Sequence, residues 1–378
     1  MNVLQQNEKV TPSLKPRNAR VVTRCRVLHV VPHSTRGGIF RVAVDLFRSF
    51  AQDEAIALAA AVPASRGEEE SFPFAGKYVI LEGSRVQQFW ALKHMAQQCE
   101  VIHLHGFTPW QAFACWLARK KIVYTNHGLL GTGRKLRPHE CLKLVLLKLF
   151  LRHAVHRIAH VSRFMQACMI SEYAVPAQKC RVVYNSTPWQ AQPPHFNPTA
   201  KLRIGFHGRF VSFKRIDRLL RVAALVAQHR AVDVVLVGEG PLQNEIAAQA
   251  ASLHVPLRLE SYTLKVEALV STFDVEIIAS QDEPFGLSVL ESIQTGHPTF
   301  VFADGGGCTE IFEAETSWFV CSSEAEMAIK ISSLQEEGQR RHVLNLLEKL
   351  QQRIHREFSR VKFRDGYKTV YQELLAQN

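Results

Sequence analysis

Residues 276–291 read EIIASQDEPFGLSVLE, and their order decides the fold. The apolar run Glu276–Ala279 reads as a buried strand, a loop closes on Glu283, and Gly286–Thr295 reads as a helix. A short apolar strand feeding a helix is the unit of a parallel sheet with crossover helices. The same alternation recurs on both sides. In the second half, strands are expected at Arg203–His207, Asp233–Val237, Leu257–Glu260 and Thr299–Phe302, with helices at Ile216–His229, Leu242–Ser252 and Lys265–Phe273. In the first half, strands are expected at Arg26–Val31, Val101–His105, Ile122–Thr125 and Ile158–Val161. The matching helices are Phe40–Phe50, Trp110–Arg119, Pro138–His153 and Arg163–Tyr173.

The two series are separated by NSTPWQAQPPHFNPTA, residues 185–200, whose four prolines and lack of periodicity read as a linker. The expected fold class is therefore α/β, with two Rossmann-like domains whose parallel sheets face each other across a central cleft. Residues 1–24 read as a flexible basic arm, 25–185 as the first domain, 186–200 as the Pro-rich linker and 201–355 as the second domain. Residues 356–378 read as a C-terminal helix that can cross back to the first domain. Ligands bind such sheets outside the carboxyl ends of the strands, and the notable motifs all fall there.

Glu283 and Glu291 bracket the start of the helix from Gly286. Free amides at a helix N-terminus suit phosphate oxygens, and carboxylates beside them accept hydrogen bonds from sugar hydroxyls. Phe285 and Leu287 flank Gly286 in the same turn. Gly208-Arg209 with Lys214 follows the strand Arg203–His207, and two cations on one short loop can neutralise a diphosphate. Gly238-Glu239-Gly240-Pro241 reads as a tight turn lining the cleft and lacks the third glycine of a dinucleotide loop. Gly37-Gly38 precedes a helix and allows close approach of a phosphate or sugar. Gly305-Gly306-Gly307 with Glu310 has the same potential. His103 and His105 flank Leu104 at a strand end, where either core packing or a metal is conceivable, although spacing places no third ligand. His127, beside Gly128 after the next strand, is the better candidate for touching a sugar.

Composition bounds the rest. The chain has 378 residues, of which 47% are hydrophobic and 21% charged, so a mostly disordered chain is excluded. The net charge of +12 calls for an anionic partner. Between Arg119 and Arg163 there are eleven Lys or Arg and one acid, Glu140, so the excess is concentrated there. Only Tyr124 and Phe150 are aromatic in that stretch, too few for a nucleic-acid stacking surface. Arg134, Lys135, Arg137, Lys148 and Arg152 are candidates for an acceptor or membrane surface. The segment Pro138–His153, PHECLKLVLLKLFLRH, reads either as a core helix or as a basic amphipathic helix on an anionic membrane. The eight cysteines form no C-x-x-C pair, and the first twenty-five residues hold no apolar segment. Reduced thiols, no secretory signal and a cytoplasmic location are expected. No D-x-D motif is present, so neither a metal nor a cofactor is expected.

Taken in order, these motifs resemble the retaining glycosyltransferases of the large family four, which have the GT-B fold. The resemblance runs from about Arg26 to about Glu313. Gly37-Gly38 is similar to the family's N-terminal loop, His127-Gly128 to its catalytic histidine segment, and Ser162 opens its Val-Ser segment. Gly208-Arg209 with Lys214 resembles its diphosphate-binding pair, and Glu283 and Glu291 match its two-glutamate signature around Phe285-Gly286. Asn185-Ser186, Arg215 and Gln294 depart from the pattern. The resemblance implies a UDP- or GDP-type sugar bound by the second domain and a saccharide or lipid-linked acceptor bound by the first. It implies cell-envelope polysaccharide, lipopolysaccharide or glycolipid synthesis, peripheral to the cytoplasmic face of the membrane. Catalytic roles are expected for His127, Glu283, Arg209 and Lys214. Donor contacts are expected from Gly37, Gly38, Gly208, Gly238, Phe285, Gly286, Leu287 and Glu291. The alternatives are a nucleotide-sugar epimerase or hydrolase on the same fold, or a non-catalytic basic binder of membrane or nucleic acid.

Overall fold

The computed structural model describes residues 25–32, 38–51, 53, 56–63, 77–128, 137–196, 200–261 and 266–376. The proposed basic arm, Gly37, Arg134 and Lys135 lie outside the described residues. The first domain holds strands β1 (Cys25–Val30), β2 (Ile56–Pro63), β3 (Lys77–Leu81), β4 (Val101–Leu104), β5 (Lys121–Asn126), β6 (Arg157–His160) and β7 (Cys180–Val182). They form one parallel sheet in the order β3-β2-β1-β4-β5-β6-β7. Helices α1 (Gly38–Phe50), α2 (Arg85–Gln97), α3 (Pro109–Leu117), α4 (Pro138–His153) and α5 (Arg163–Tyr173) connect them.

The second domain holds β8 (Leu202–His207), β9 (Val232–Val237), β10 (Leu257–Glu260), β11 (Val275–Ile278), β12 (Thr299–Phe302) and β13 (Val320–Cys321). Their parallel order is β10-β9-β8-β11-β12-β13. Its helices are α6 (Ile216–Ala227), α7 (Gln243–Ser252), α8 (Val266–Val270), α9 (Leu287–Gln294), α10 (Glu324–Ser333) and α11 (Glu337–Glu357). In both sheets the order reverses beside the first strand, which opens a crevice at the carboxyl ends.

Helix α12 (Arg360–Leu375) returns to the first domain. Phe363, Tyr367, Val370, Tyr371 and Leu374 fall on one face at helical spacing and pack on Val27, Val101, Val123 and Ala159 of the first sheet. Each such side chain contributes about 1.5–3 kcal/mol when fully buried, so this face is a strong anchor. Ser359 caps the helix by accepting from Lys362 N–H.

The described part of the linker, residues 185–196, is packed on the second domain. Trp189 and Phe196 are buried. Gln294, one of the departures from the family pattern, donates to the Trp189 carbonyl at 3.4 Å, and Gln351 donates to the Gln192 carbonyl at 2.8 Å. Arg215, another departure, is left-handed with φ 45° and donates to both Asp217 and Gln281. The cationic segment α4 differs from a core helix. Leu147 and Leu151 are buried, but Leu142, Val145, Leu146 and Leu149 are exposed.

Candidate active site

The carboxyl ends of β8, β9 and β11 carry the second domain's motifs. Gly286 precedes α9 with φ 93°, a left-handed value that suits glycine, and an added Cβ would stand 2.6 Å from Cys308 Cβ. Gly238 is required by proximity, because a Cβ there would meet the Gly208 carbonyl oxygen at 2.0 Å. The two loops therefore pack backbone to backbone. Lys214 ends a short 3-10 turn, and its Nζ donates to Glu283 Oε2 at 2.6 Å. Both side chains are largely buried. Arg209 stands exposed on the same loop; its carbonyl accepts from Val211 N–H at 3.0 Å, while its guanidinium has no hydrogen bond or ion pair among the described residues. One cation is thus oriented by a carboxylate and a second has no side-chain partner among the described residues, an arrangement suited to an anionic phosphate.

Phe285 is not open to a ligand. Its side chain is 2% exposed and packs between Tyr184 and Phe358 at 5.9 Å from each. Its ring therefore serves the core, which leaves the backbone of the turn as the part of Phe285 able to meet a donor. Leu287 is half-buried and packs against both domains' cores.

Glu291 is more constrained than the sequence suggests. Its Oε2 is 3.0 Å from His207 Nε2, and the other oxygen pairs with the guanidinium of Arg41 from α1. His207 Nδ1 lies 2.7 Å from Glu276 Oε1. Glu276 is 0% exposed and also accepts from Ser292 Oγ, with His297 Nε2 at 3.5 Å. Burial alone would lower His207. The charge and hydrogen bond of Glu276, with the hydrogen bond of Glu291, outweigh burial and raise it to about 9. Burial likewise pushes Glu276 up, but His207 and His297 outweigh that and hold it below the usual carboxylate range. A buried imidazolium thus bridges two carboxylates, and the Trp189 ring stacks on it at 5.7 Å.

The first domain meets this site across the cleft. His127 follows β5 and is half-buried, and a Cβ on Gly128 would stand 3.8 Å from Pro284. Burial lowers the His127 pKa, so the ring is neutral near pH 7. Ser162 accepts from Met165 N–H as the cap of α5 and donates to the Pro284 carbonyl at 2.5 Å. Glu310 accepts from the backbone N–H of Arg163 at 3.0 Å and Phe164 at 2.6 Å, and from Tyr184 at 2.8 Å. Gly38, the first residue of α1, has open space beside it. Arg137, Lys148 and Arg152 lie at or on α4, away from this constellation in the chain. Lys148 donates to the Glu172 carbonyl at 2.8 Å.

Five polar residues at or near the site are singled out by none of the sequence motifs. Arg41 and His207 carried no spacing signal. Glu276 had one, a carboxylate inside an otherwise apolar strand. His160 and Asn126 are register partners at the ends of β6 and β5, and both hold buried nitrogen atoms without hydrogen-bond partners among the described residues. His103 and His105 are fully buried and stacked at 4.2 Å.

Comparison with known proteins agrees with this fold. Residues 36–188 match the model of "Glycosyltransferase Family 4" and residues 189–349 that of "Glycosyl transferases group 1". The glycosyltransferase YqgM of Bacillus subtilis is 27% identical over 55% of this chain and 60% of its own length. The N-acetyl-alpha-D-glucosaminyl L-malate synthase of Bacillus anthracis is 25% identical over 74% of this chain and 76% of its own. The chain thus spans about three fifths to three quarters of these relatives. The structure of Anabaena Alr3699/HepE in complex with UDP and glucose superposes with TM-score 0.75 at 17% identity, covering 93% of this chain and 100% of that one. Two contiguous family matches across both domains, on a two-domain parallel-sheet frame of this kind, place the chain among the group 1 glycosyltransferases of family four, with the GT-B fold.

Proposed function

We propose that the protein transfers a sugar from a nucleoside diphosphate sugar to an acceptor hydroxyl with retention of anomeric configuration. The observation that carries this reading is the Lys214–Glu283 pair at 2.6 Å on the same loop as the exposed Arg209, whose guanidinium has no partner among the described residues. Those two cations and the amides opening α9 would stabilise charge growing on the leaving diphosphate, which is often the largest catalytic effect. They would do so without a divalent metal. Glu283 would orient the sugar, Glu291 would hold the ribose, and His127 would contact the sugar from the opposite wall. On a front-face path the leaving phosphate would accept the acceptor's proton. The solved neighbour's complex with UDP and glucose supports a UDP-type donor.

The acceptor is proposed to be a saccharide or lipid-linked precursor of the cell envelope, met at the cytoplasmic face of a membrane. No helix among the described residues is long and apolar enough to cross one. Supporting a peripheral contact, Leu142, Val145, Leu146 and Leu149 form an exposed stripe on α4, with exposed Phe113 and Trp116 on the adjoining α3 and with Lys143, Lys148 and Arg152 interspersed. Such a face has both the apolar area and the charge for an anionic interface. The test is turnover of UDP- and GDP-sugars with and without acceptor, followed by proton NMR of the new glycoside. An α-linked donor should give an α-linked product. Inverted product, or donor consumption that needs no acceptor, would overturn the reading in favour of another chemistry.

A further inference from the structure

The histidine on the cleft wall ends a hydrogen-bonded file that starts on the last helix of the chain. Tyr367 Oη lies 3.1 Å from Thr125 Oγ1, which lies 2.6 Å from His103 Nε2. His103 Nδ1 is 2.7 Å from Tyr371 Oη, and that oxygen is 3.3 Å from His29 Nε2. His29 Nδ1 is 2.8 Å from His105 Nε2, and His105 Nδ1 is 3.2 Å from His127 Nε2. Every member before His127 is 0% exposed.

Burial lowers the pKa of His29, His103, His105 and His127, so all four are neutral near pH 7. A neutral imidazole has one N–H and one lone pair, and each hydroxyl has one proton. Each internal histidine uses both nitrogens, and each internal hydroxyl, Thr125 and Tyr371, has both its hydrogen-bond partners in the file; with every hydroxyl proton placed between those partners, fixing one bond fixes the direction of all. If donation ran away from His127, Thr125 would donate to Tyr367 and the Tyr367 O–H would need a further acceptor. Thr125 is the one hydrogen-bond partner of that hydroxyl among the described residues. A buried donor without an acceptor is costly and rare. Donation running from Tyr367 toward His127 strands no proton. In that direction His103, His29 and His105 all carry the proton on Nδ1, and His127 Nε2 accepts.

We infer that this file holds His127 as the Nδ1–H tautomer, leaving Nδ1–H as its donor toward the cleft, with Tyr371 and Tyr367 of α12 as positioning residues. The inference rests on the reading of His127 as a cleft residue. It ties the crossing helix to the site by a chemical role in addition to packing. His29, His103 and His105 also have nitrogens within 4.8 Å of one another, a spacing compatible with a metal ion. All six of those ring nitrogens are already engaged in the file, and no carboxylate belongs to the cluster to offset a buried dication.

The test is the full chain labelled with 15N-histidine, observed by long-range 1H–15N correlation without donor or acceptor, with His127→Gln to assign the signal. Free imidazole side chains in water favour Nε2–H, so an Nδ1–H pattern at His127 is not the default. The expected result is Nδ1–H in the unmodified protein and a shift of at least half the population to Nε2–H in Tyr371→Phe, which cuts the file at its middle. Nε2–H at His127 in the unmodified protein overturns the inference. So does an unchanged Nδ1–H pattern in a folded Tyr371→Phe protein, or a metal found bound to the cluster. Should that variant fail to fold, the unmodified spectrum decides alone. The measurement uses no substrate, so its failure and a failure of the proposed transfer are distinguishable.

Discussion

Replacing His207 with leucine should expose how much the buried bridge behind Glu291 stabilises the second domain. The imidazolium sits between Glu276 and Glu291 at 2.7 and 3.0 Å, inside a region closed to water. Its pKa rises from 6.5 to about 9. At roughly 1.4 kcal/mol per pH unit, that rise corresponds to about 3 kcal/mol of native-state stabilisation. The depressed Glu276 reports the same contact from its other side and is counted once. Breaking a buried pair by removing one partner generally costs about 3–5 kcal/mol, which is compatible. Because the folded pKa is raised, the contribution is complete below the unfolded value of 6.5 and is lost as pH rises through about 9. Glu276 has a folded pKa below its ordinary 4.5, so its share is present above that value and lost as pH falls below it. Urea unfolding of wild type and His207→Leu should therefore differ by about 3 kcal/mol near pH 6, and by much less near pH 9.5. A gap under about 1 kcal/mol near pH 6, or one that does not change with pH, would refute the bridge.

Lys214→Ala should lower turnover roughly 100- to 1000-fold, the usual range for losing one charge-stabilising contact, while the circular dichroism spectrum is retained; unaltered turnover would remove Lys214 from the diphosphate site. Glu310→Ala leaves two N–H groups of α5 and the Tyr184 hydroxyl without their acceptor, and should cost about 1–3 kcal/mol of stability in thermal unfolding. Leu146→Glu with Leu149→Glu should abolish co-sedimentation with anionic liposomes and leave transfer to a water-soluble acceptor intact. Equal sedimentation of variant and wild type would sink the membrane face.

Much of the frame was legible because it depends on local signals. The strand-to-helix step at Glu276–Glu291 needs only apolar runs and a glycine, and β1, β4, β5, β6, β8, β9 and β11 carry the same pattern. What failed to register had weak local chemistry. β2 reads IALAAAVP, rich in alanine where strands favour branched residues. In α2 the exposed Val86 and Trp90 and the buried Leu92 and Ala96 give no single apolar face. Helix α11 does have periodic Val343, Leu346, Leu347, Leu350 and Ile354, although it is not among the expected elements.

The site divides the same way. Glu283, Lys214 and Arg209 fall within a few residues of strand ends, so spacing alone singles them out. The His207–Glu276 contact joins residues 69 positions apart through the neighbouring strands β8 and β11. Arg41 reaches Glu291 from the other domain. The His103–Tyr371 bond spans 268 positions. Partnerships of that kind are set by sheet order and by the return of α12, which no motif encodes.

The proposed transfer requires that the turn around Arg209, Lys214 and the start of α9 bind a nucleoside diphosphate. The direct measurement is thermal unfolding of wild type and Lys214→Ala with UDP, GDP and ADP and their sugars. A ligand at a hundredfold excess over its Kd stabilises by about 2.7 kcal/mol. For a domain of this size that corresponds to a rise in Tm of roughly 5–10 °C. Such a rise is expected for one nucleotide family in wild type, with its loss or sharp reduction in Lys214→Ala. No rise with any of the nucleotides, or an equal rise in the variant, would contradict it.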